Sequence, residues 1–152
     1  MFFAKVIKNY YLFNRIMQGL RLYKDEKLCS RTAVGMLFGG DGKATIAYPL
    51  RAVYRFHAPR EGQVHPAQFL ITIPKKKIRT AVGRVLLRRR TREAYRLNRD
   101  ILYPVLQESN LAADIAFIYL STEKMDYAKI QEKMQELLRR IARDSQQHIA
   151  SL

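Results

Sequence analysis

The sequence predicts a two-layer α/β (α+β) sandwich, with helices laid over a four-stranded sheet in the order α-β-β-β-α-β-α. Three observations lead there. The stretches ATIAYPLRAVYRF (44–56), QFLITI (68–73) and DIAFIYL (114–120) are short, rich in β-branched and aromatic residues, and bounded by turns. Two longer stretches, roughly 80–103 and 126–142, carry apolar residues at helical spacing. The chain has 152 residues and is 48% hydrophobic, which suits one domain with one modest core.

The first helix is read at Leu28–Phe38, where Leu28, Ala33, Val34, Leu37 and Phe38 repeat at helical spacing and GGDG (39–42) stops it. Tyr48-Pro49 divides the first β stretch into two short strands or one bent strand. HAPREGQVHP (57–66) is a loop, and Pro74 closes the next strand. The fourth element is a helix that Pro104 ends or kinks. Asp126 is an N-cap for the last helix, with Met125 and Ile130 as its hydrophobic staple. Its stripe is Tyr127, Ile130, Met134, Leu137, Leu138 and Ile141. Residues 1–22 read as an N-terminal extension, 23–143 as the domain and 144–152 as a tail. Lys5, Lys8, Asn9, Asn14 and Arg15 interrupt any apolar run in the extension long enough to span a bilayer, and no signal-peptide cleavage pattern follows. It is read as an amphipathic appendage or as a start placed too early, with Met17 the first residue.

Charge narrows the function. The formal net charge is +15. Between Lys75 and Arg99 stand eleven Lys or Arg against one acid, Glu93. A solubilising surface interleaves both signs, so one sign in one place asks for a polyanion, nucleic acid before a membrane surface. Residues 81–99 concentrate it: Arg84, Arg88, Arg92 and Arg96 stand four apart on one helix face, with Arg99 beside the line. Leu86, Leu87, Ala94, Leu97 and Ile101 are expected on the opposite, packing side, with Arg90 at its edge. Neighbouring arginines repel by a few tenths of a kcal/mol per pair, a cost that phosphates would remove. Lys75, Lys76, Lys77 and Arg79 extend the patch to the helix N-terminus, or form a flexible basic loop.

Other chemistry is hard to find. Cys29 is a lone cysteine, read as a small apolar residue of the first helix, which fits a reducing cytoplasm. His57, His65 and His148 have no metal-ligand spacing and are expected to be exposed. No phosphate-cradling glycine loop or nucleophilic triad stands out. The residues alone describe a binder rather than a catalyst.

The stretch TAVGRVLLRRRTREAYR resembles the signature of the bacterial ribonuclease P protein component, in Ala81, Val82, Arg84, Arg88, Arg89, Arg92, Glu93, Ala94 and Tyr95. FLITIPKKK is similar to that family's strand and basic run, EKLCSRTAVGMLFGGDG to its first helix, and DIAFIYLSTEKMDYAKIQEKMQELLRRI to its last strand and helix. Together these cover about residues 25–142. Two departures stand out. Val85 and Leu86 replace the Asn and second Arg of the family's Arg-Asn-Arg, removing an RNA contact, and Val34 replaces the first of two helix aromatics while Phe38 matches the second. The resemblance implies a fold shared with a ribosomal protein domain, including a left-handed β-α-β crossover. It also implies an RNA-binding subunit, one per catalytic RNA, of a cytoplasmic endoribonuclease that removes the 5′ leader from precursor tRNA. The RNA performs the chemistry with Mg²⁺ that it mainly holds itself. By the same resemblance Lys75, Lys76, Lys77, Arg79, Arg84, Arg88, Arg89, Arg92, Arg96 and Arg99 bind the catalytic RNA. A cleft between the first helix and the sheet holds the leader, with Phe38, Tyr48 and Tyr54 as its contacts; ordinary core packing is the alternative for each. A structural RNA-binding protein of ribosomal or assembly type fits the charge and fold equally. A DNA-reading helix fits less well, since Asn98 is nearly the only side chain suited to base edges.

Overall fold

The computed structural model describes residues 21–151. The expectations for residues 1–20 lie outside them. The chain forms α1 (Arg31–Phe38), β1 (Lys43–Ala47), β2 (Leu50–His57), β3 (Ala67–Thr72), α2 (Ala81–Asn98), α3 (Tyr103–Glu108), β4 (Ala112–Tyr119) and α4 (Tyr127–Ala150). The sheet has the order β1-β2-β4-β3. β1–β2 and β2–β4 are antiparallel and β3–β4 is parallel. A parallel pair needs a long crossover, and α2 with α3 supplies it.

Strand alternation divides the sheet into two faces. Leu50, Ala52 and Tyr54 of β2, Phe69 of β3, and Ile115, Phe117 and Tyr119 of β4 join Leu87 and Tyr95 of α2 and Ile130, Met134, Leu137, Leu138 and Ile141 of α4 in the main core. Val53 and Ala116 point the other way and meet Leu28, Ala33 and Leu37 in a smaller cluster under α1. The expected last-helix stripe is therefore the core seam, and Asp126 caps it by accepting from the Lys129 N–H.

Four differences from the sequence reading have local causes. Helix α1 begins only at Arg31, because Ser30 caps it and Leu28 hooks instead onto the Phe69 carbonyl of β3 at 2.8 Å. Cys29 consequently lies before the helix and is exposed. α2 ends at Asn98, a 3-10 turn follows at Arg99–Ile101, and Pro104 opens α3, whose first turn has no need of its missing N–H. α4 continues to Ala150, through the residues read as a tail.

The early end of α2 is tied to a buried ion pair. Glu26 is fully buried, and Arg99 donates to its carboxylate at 2.6 Å. Tyr103 donates to the same carboxylate at 2.7 Å, and its hydroxyl meets that of Tyr95 at 2.7 Å. Burial pushes the Tyr103 hydroxyl well above its ordinary pKa, so it stays a donor.

The histidines are not exposed. His57 and Arg60 both bond the carboxylate of Asp114, which is fully buried in β4, at 3.2 and 2.8 Å. His65 bonds Asp25 at 2.9 Å, and His148 packs on Phe56. Polar loop sequence misplaced the first two because it gave no sign of their acidic partners. Burial opposes the charge on Asp114, but hydrogen bonds from His57 and Arg60 outweigh it and hold the carboxyl below its usual range.

Two predictions follow from these buried carboxylates. Glu26→Gln strands the Arg99 charge and should cost about 3–5 kcal/mol in urea unfolding, while Glu26→Gln with Arg99→Met should recover much of it. Asp114 has a lowered folded pKa, so its contribution is complete above the ordinary value of 3.8 and is lost as pH falls through the folded value. Urea midpoints measured down an acid series should fall less steeply for Asp114→Asn than for the parent.

Candidate nucleic-acid interface

Helix α2 buries Gly83, Leu87, Thr91, Ala94, Tyr95 and Asn98. This seam steps by three and four residues, and fully burying Leu87 alone is worth roughly 1.5–3 kcal/mol. Two polar residues occupy it because each is satisfied locally. The Thr91 hydroxyl donates to the Leu87 carbonyl at 2.8 Å. Asn98 donates to the Ala94 carbonyl at 2.7 Å and accepts from Gln135 of α4 at 3.0 Å.

The seam fixes where the arginines go. Arg84, Arg88 and Arg92 each follow a seam residue by one position, about 100° round the helix, so they flank the core rather than oppose it. The outermost line holds Val82, Val85 and Arg89. Leu86, expected on the packing side, is 38% exposed, because Thr91 and Asn98 take seam positions that hydrophobicity alone would not assign. Leu87 and Ala94 are buried as expected, and Leu97 is half-buried.

The expected RNA-binding residues separate into three groups. Arg88, Arg89 and Arg92 project from the helix, and among the described residues no ion pair or hydrogen bond engages their side chains. Lys75, Lys76, Lys77 and Arg79 are exposed on a turn held by the N–H groups of Lys77 and Ile78, which donate to the Pro74 carbonyl. The basic run is thus a structured turn rather than a flexible loop. The remaining cations are engaged within the protein. Arg84 donates to the carbonyls of Ile78 and Arg79 at 3.0 and 2.8 Å, which positions that turn against α2. Arg96 pairs with Glu93, and its hydrogen bonds hold the Glu93 carboxyl below its usual range. Arg99 is a correction: it is buried on Glu26 and presents nothing to a ligand. Its place beside the arginine line in the sequence hid the end of α2 at Asn98. Arg90 reaches the Met125 carbonyl at 2.6 Å, at the edge where it was expected.

The second face of the sheet offers a different surface. There Phe38 is 51% exposed at the end of α1. Tyr48, 53% exposed, stands at the β1–β2 turn instead, with its hydroxyl in electrostatic reach of the main-core Tyr119. Tyr54 is a correction: it is 5% exposed, on the main-core face, and its hydroxyl donates to Asp144 of α4 at 2.8 Å. Burial and that hydrogen bond raise its pKa. Arg51 and Arg55, missed in the sequence reading, alternate with Tyr54 and so share the face of α1 with Ile46, the register partner of Arg51. The alternation in LRAVYRFH was the available signal.

No group of three or more His, Cys, Asp or Glu among the described residues could hold a metal ion. No described helix is long and apolar enough to cross a membrane.

Comparison with known proteins places this geometry. The sequence matches the Ribonuclease P family model over residues 22–142. Ribonuclease P protein components from two strains of Porphyromonas gingivalis are 43% identical to it over 121 and 124 residues, covering 80% of this chain and 86% of each relative. The fold resembles that of the ribonuclease P protein from Thermotoga maritima, with a TM-score of 0.58 at 23% identity over 75% of this chain and 96% of that one. The Staphylococcus aureus ribonuclease P protein gives 0.57 at 18% identity, over 77% and 94%. The family match over most of the chain, with a seam that turns a row of arginines outward, makes this chain a member of the ribonuclease P protein family.

Proposed function

We propose that this chain is the RNA-binding subunit of ribonuclease P, working one-to-one with a catalytic RNA in the cytoplasm to remove the 5′ leader of precursor tRNA. The observation that carries the reading is the set Arg88, Arg89 and Arg92, held on one helix with no acidic partner among the described residues, beside the basic turn 75–79. Guanidiniums so placed bind phosphate bidentately, and each contact releases counterions. Arg84 acts as a positioning residue, since its hydrogen bonds aim the turn.

The chain's own residues bind and orient; bond cleavage belongs to the RNA. On this reading the Mg²⁺ that serves the cleavage is held mainly by the RNA. The leader would lie along the face that α1 leaves open, stacking on Phe38 while Arg51 and Arg55 meet its phosphates, and Tyr48 at the β1–β2 turn would be a further contact at the sheet's end. Stacking tolerates any base, which suits leaders of varied sequence.

The deciding experiment is cleavage of a precursor tRNA by the cognate RNA at low Mg²⁺, with and without this protein. Strong stimulation with correct 5′ ends is expected. A folded protein that leaves an otherwise active RNA unstimulated would indicate a general RNA binder instead. Arg88→Glu with Arg92→Glu should weaken binding of the catalytic RNA about 100-fold, taking roughly 1.5 kcal/mol for each charge-assisted contact, and flatten the salt dependence with the fold intact. Phe38→Ala should leave that affinity unchanged and weaken the leader-bearing precursor about 5- to 100-fold relative to leaderless tRNA, as one lost stack requires.

A further inference from the structure

The β3–α2 turn and the β4–α4 loop meet over the first turn of α2 and border a solvent-open pocket of about 420 Å³. Four cations line it, Lys76, Lys77, Arg79 and Lys124, together with the hydroxyl residues Thr80 and Thr122. No carboxylate is among the lining side chains. Like charges gathered around one space repel, so the arrangement needs support from the fold.

That support is specific. Arg84 holds the carbonyls of Ile78 and Arg79 on one side. On the other, the hydroxyl of buried Tyr119 donates to the Glu123 carbonyl and accepts from the Met125 N–H at 3.0 Å, gripping the chain on both sides of Lys124. Arg90 adds a third hold through the Met125 carbonyl. Gly83 leaves room for the lysine stem: a Cβ there would stand 2.8 Å from Lys124 Cε and 2.7 Å from Thr80 Oγ1. Lys124 therefore lies across the start of α2, with its ammonium beside cations that come from a distant part of the sequence.

The geometry points to this pocket as a seat for a single phosphate group, with Lys124 and Thr122 of the β4–α4 loop joining the basic turn to hold it. The space, the two hydroxyl residues and the all-cationic lining suit a tetrahedral oxyanion, which the neighbouring helix N-terminus also favours. On the RNA-binding reading above, on which this assignment rests, the occupant is one backbone phosphodiester of the catalytic RNA. Lys124 is then an RNA contact outside the arginine helix.

Two measurements on the full-length protein test this. The isotope-labelled chain is titrated with inorganic phosphate and its amide resonances are followed. Saturable shifts are expected at residues 76–83 and 122–124, and Lys124→Ala should weaken them. Absent shifts, or shifts spread evenly over every basic surface, would overturn the site. Affinity for the catalytic RNA is then measured against salt for the parent, Lys124→Ala and Arg143→Ala, a control on an exposed cation late in α4. Lys124→Ala should weaken binding several-fold and reduce the log–log salt slope by about 0.7–0.9, the value for one phosphate. An unchanged slope, or an equal fall in the control, would sink Lys124 as an RNA contact. A parent that binds phosphate here but does not bind the catalytic RNA would overturn the subunit reading while supporting the phosphate seat.

Discussion

The buried pair of Glu26 and Arg99 is the constraint on which the orientation of α2 depends. Two opposite charges without water tolerate little variation in geometry, because each has only the other and its hydrogen bonds for solvation. Tyr103 and Tyr95 extend the pair into the main core, where Tyr95 lies 4.2 Å from Phe69 by ring centroids. The N-terminal segment, the end of α2, the start of α3 and strand β3 thus meet at one point. With Tyr95 and Asn98 turned inward there, Arg88, Arg89 and Arg92 have nowhere to go but outward. Burying Arg99 at this point fixes the helix on which those three are aimed.

The two faces of the sheet divide the labour. The face under α2 and α4 carries the larger hydrophobic cluster and supports the arginine helix. The face under α1 carries the smaller cluster and leaves side chains in reach of solvent. Asp114, the fully buried acid of that second face, is neutralised by Arg60 and hydrogen-bonded by His57, so it does not repel an approaching polyanion. Arg84 and Arg90 spend their donors on backbone carbonyls, which reduces the crowding of free charge along α2.

Much of this was legible in the sequence. The strands announced themselves through β-branched runs, and α4 through a clean stripe with a cap and staple, because those signals are local. The line of Arg84, Arg88, Arg92 and Arg96 was legible for the same reason, though not that Arg84 and Arg96 would bond within the protein or that Arg89 would project beside the line. Legibility failed where a partner lies far along the chain. Arg99 looks like another surface arginine until Glu26, 73 positions away, is placed beneath it. His57 looks like a loop residue until Asp114 arrives from β4. Leu86 illustrates a subtler limit: a leucine need not face inward where Thr91 and Asn98 can be buried by hydrogen-bonding to carbonyls of their own helix. For Tyr54 the structure takes the core-packing alternative, which the two-residue period of its strand also favours.

The shortness of α1 has a consequence of its own. Its eight residues extend about 12 Å, whereas the eight residues of β2 beneath extend roughly 26 Å. The helix stops because Gly40 takes a φ of +106°, a conformation that side-chain-bearing residues rarely adopt, and a Cβ on Gly39 would meet the Gly35 carbonyl at 2.7 Å. The glycine pair therefore works as a ruler. It sets how much of the sheet α1 leaves uncovered, and so how much of that face stays open to solvent.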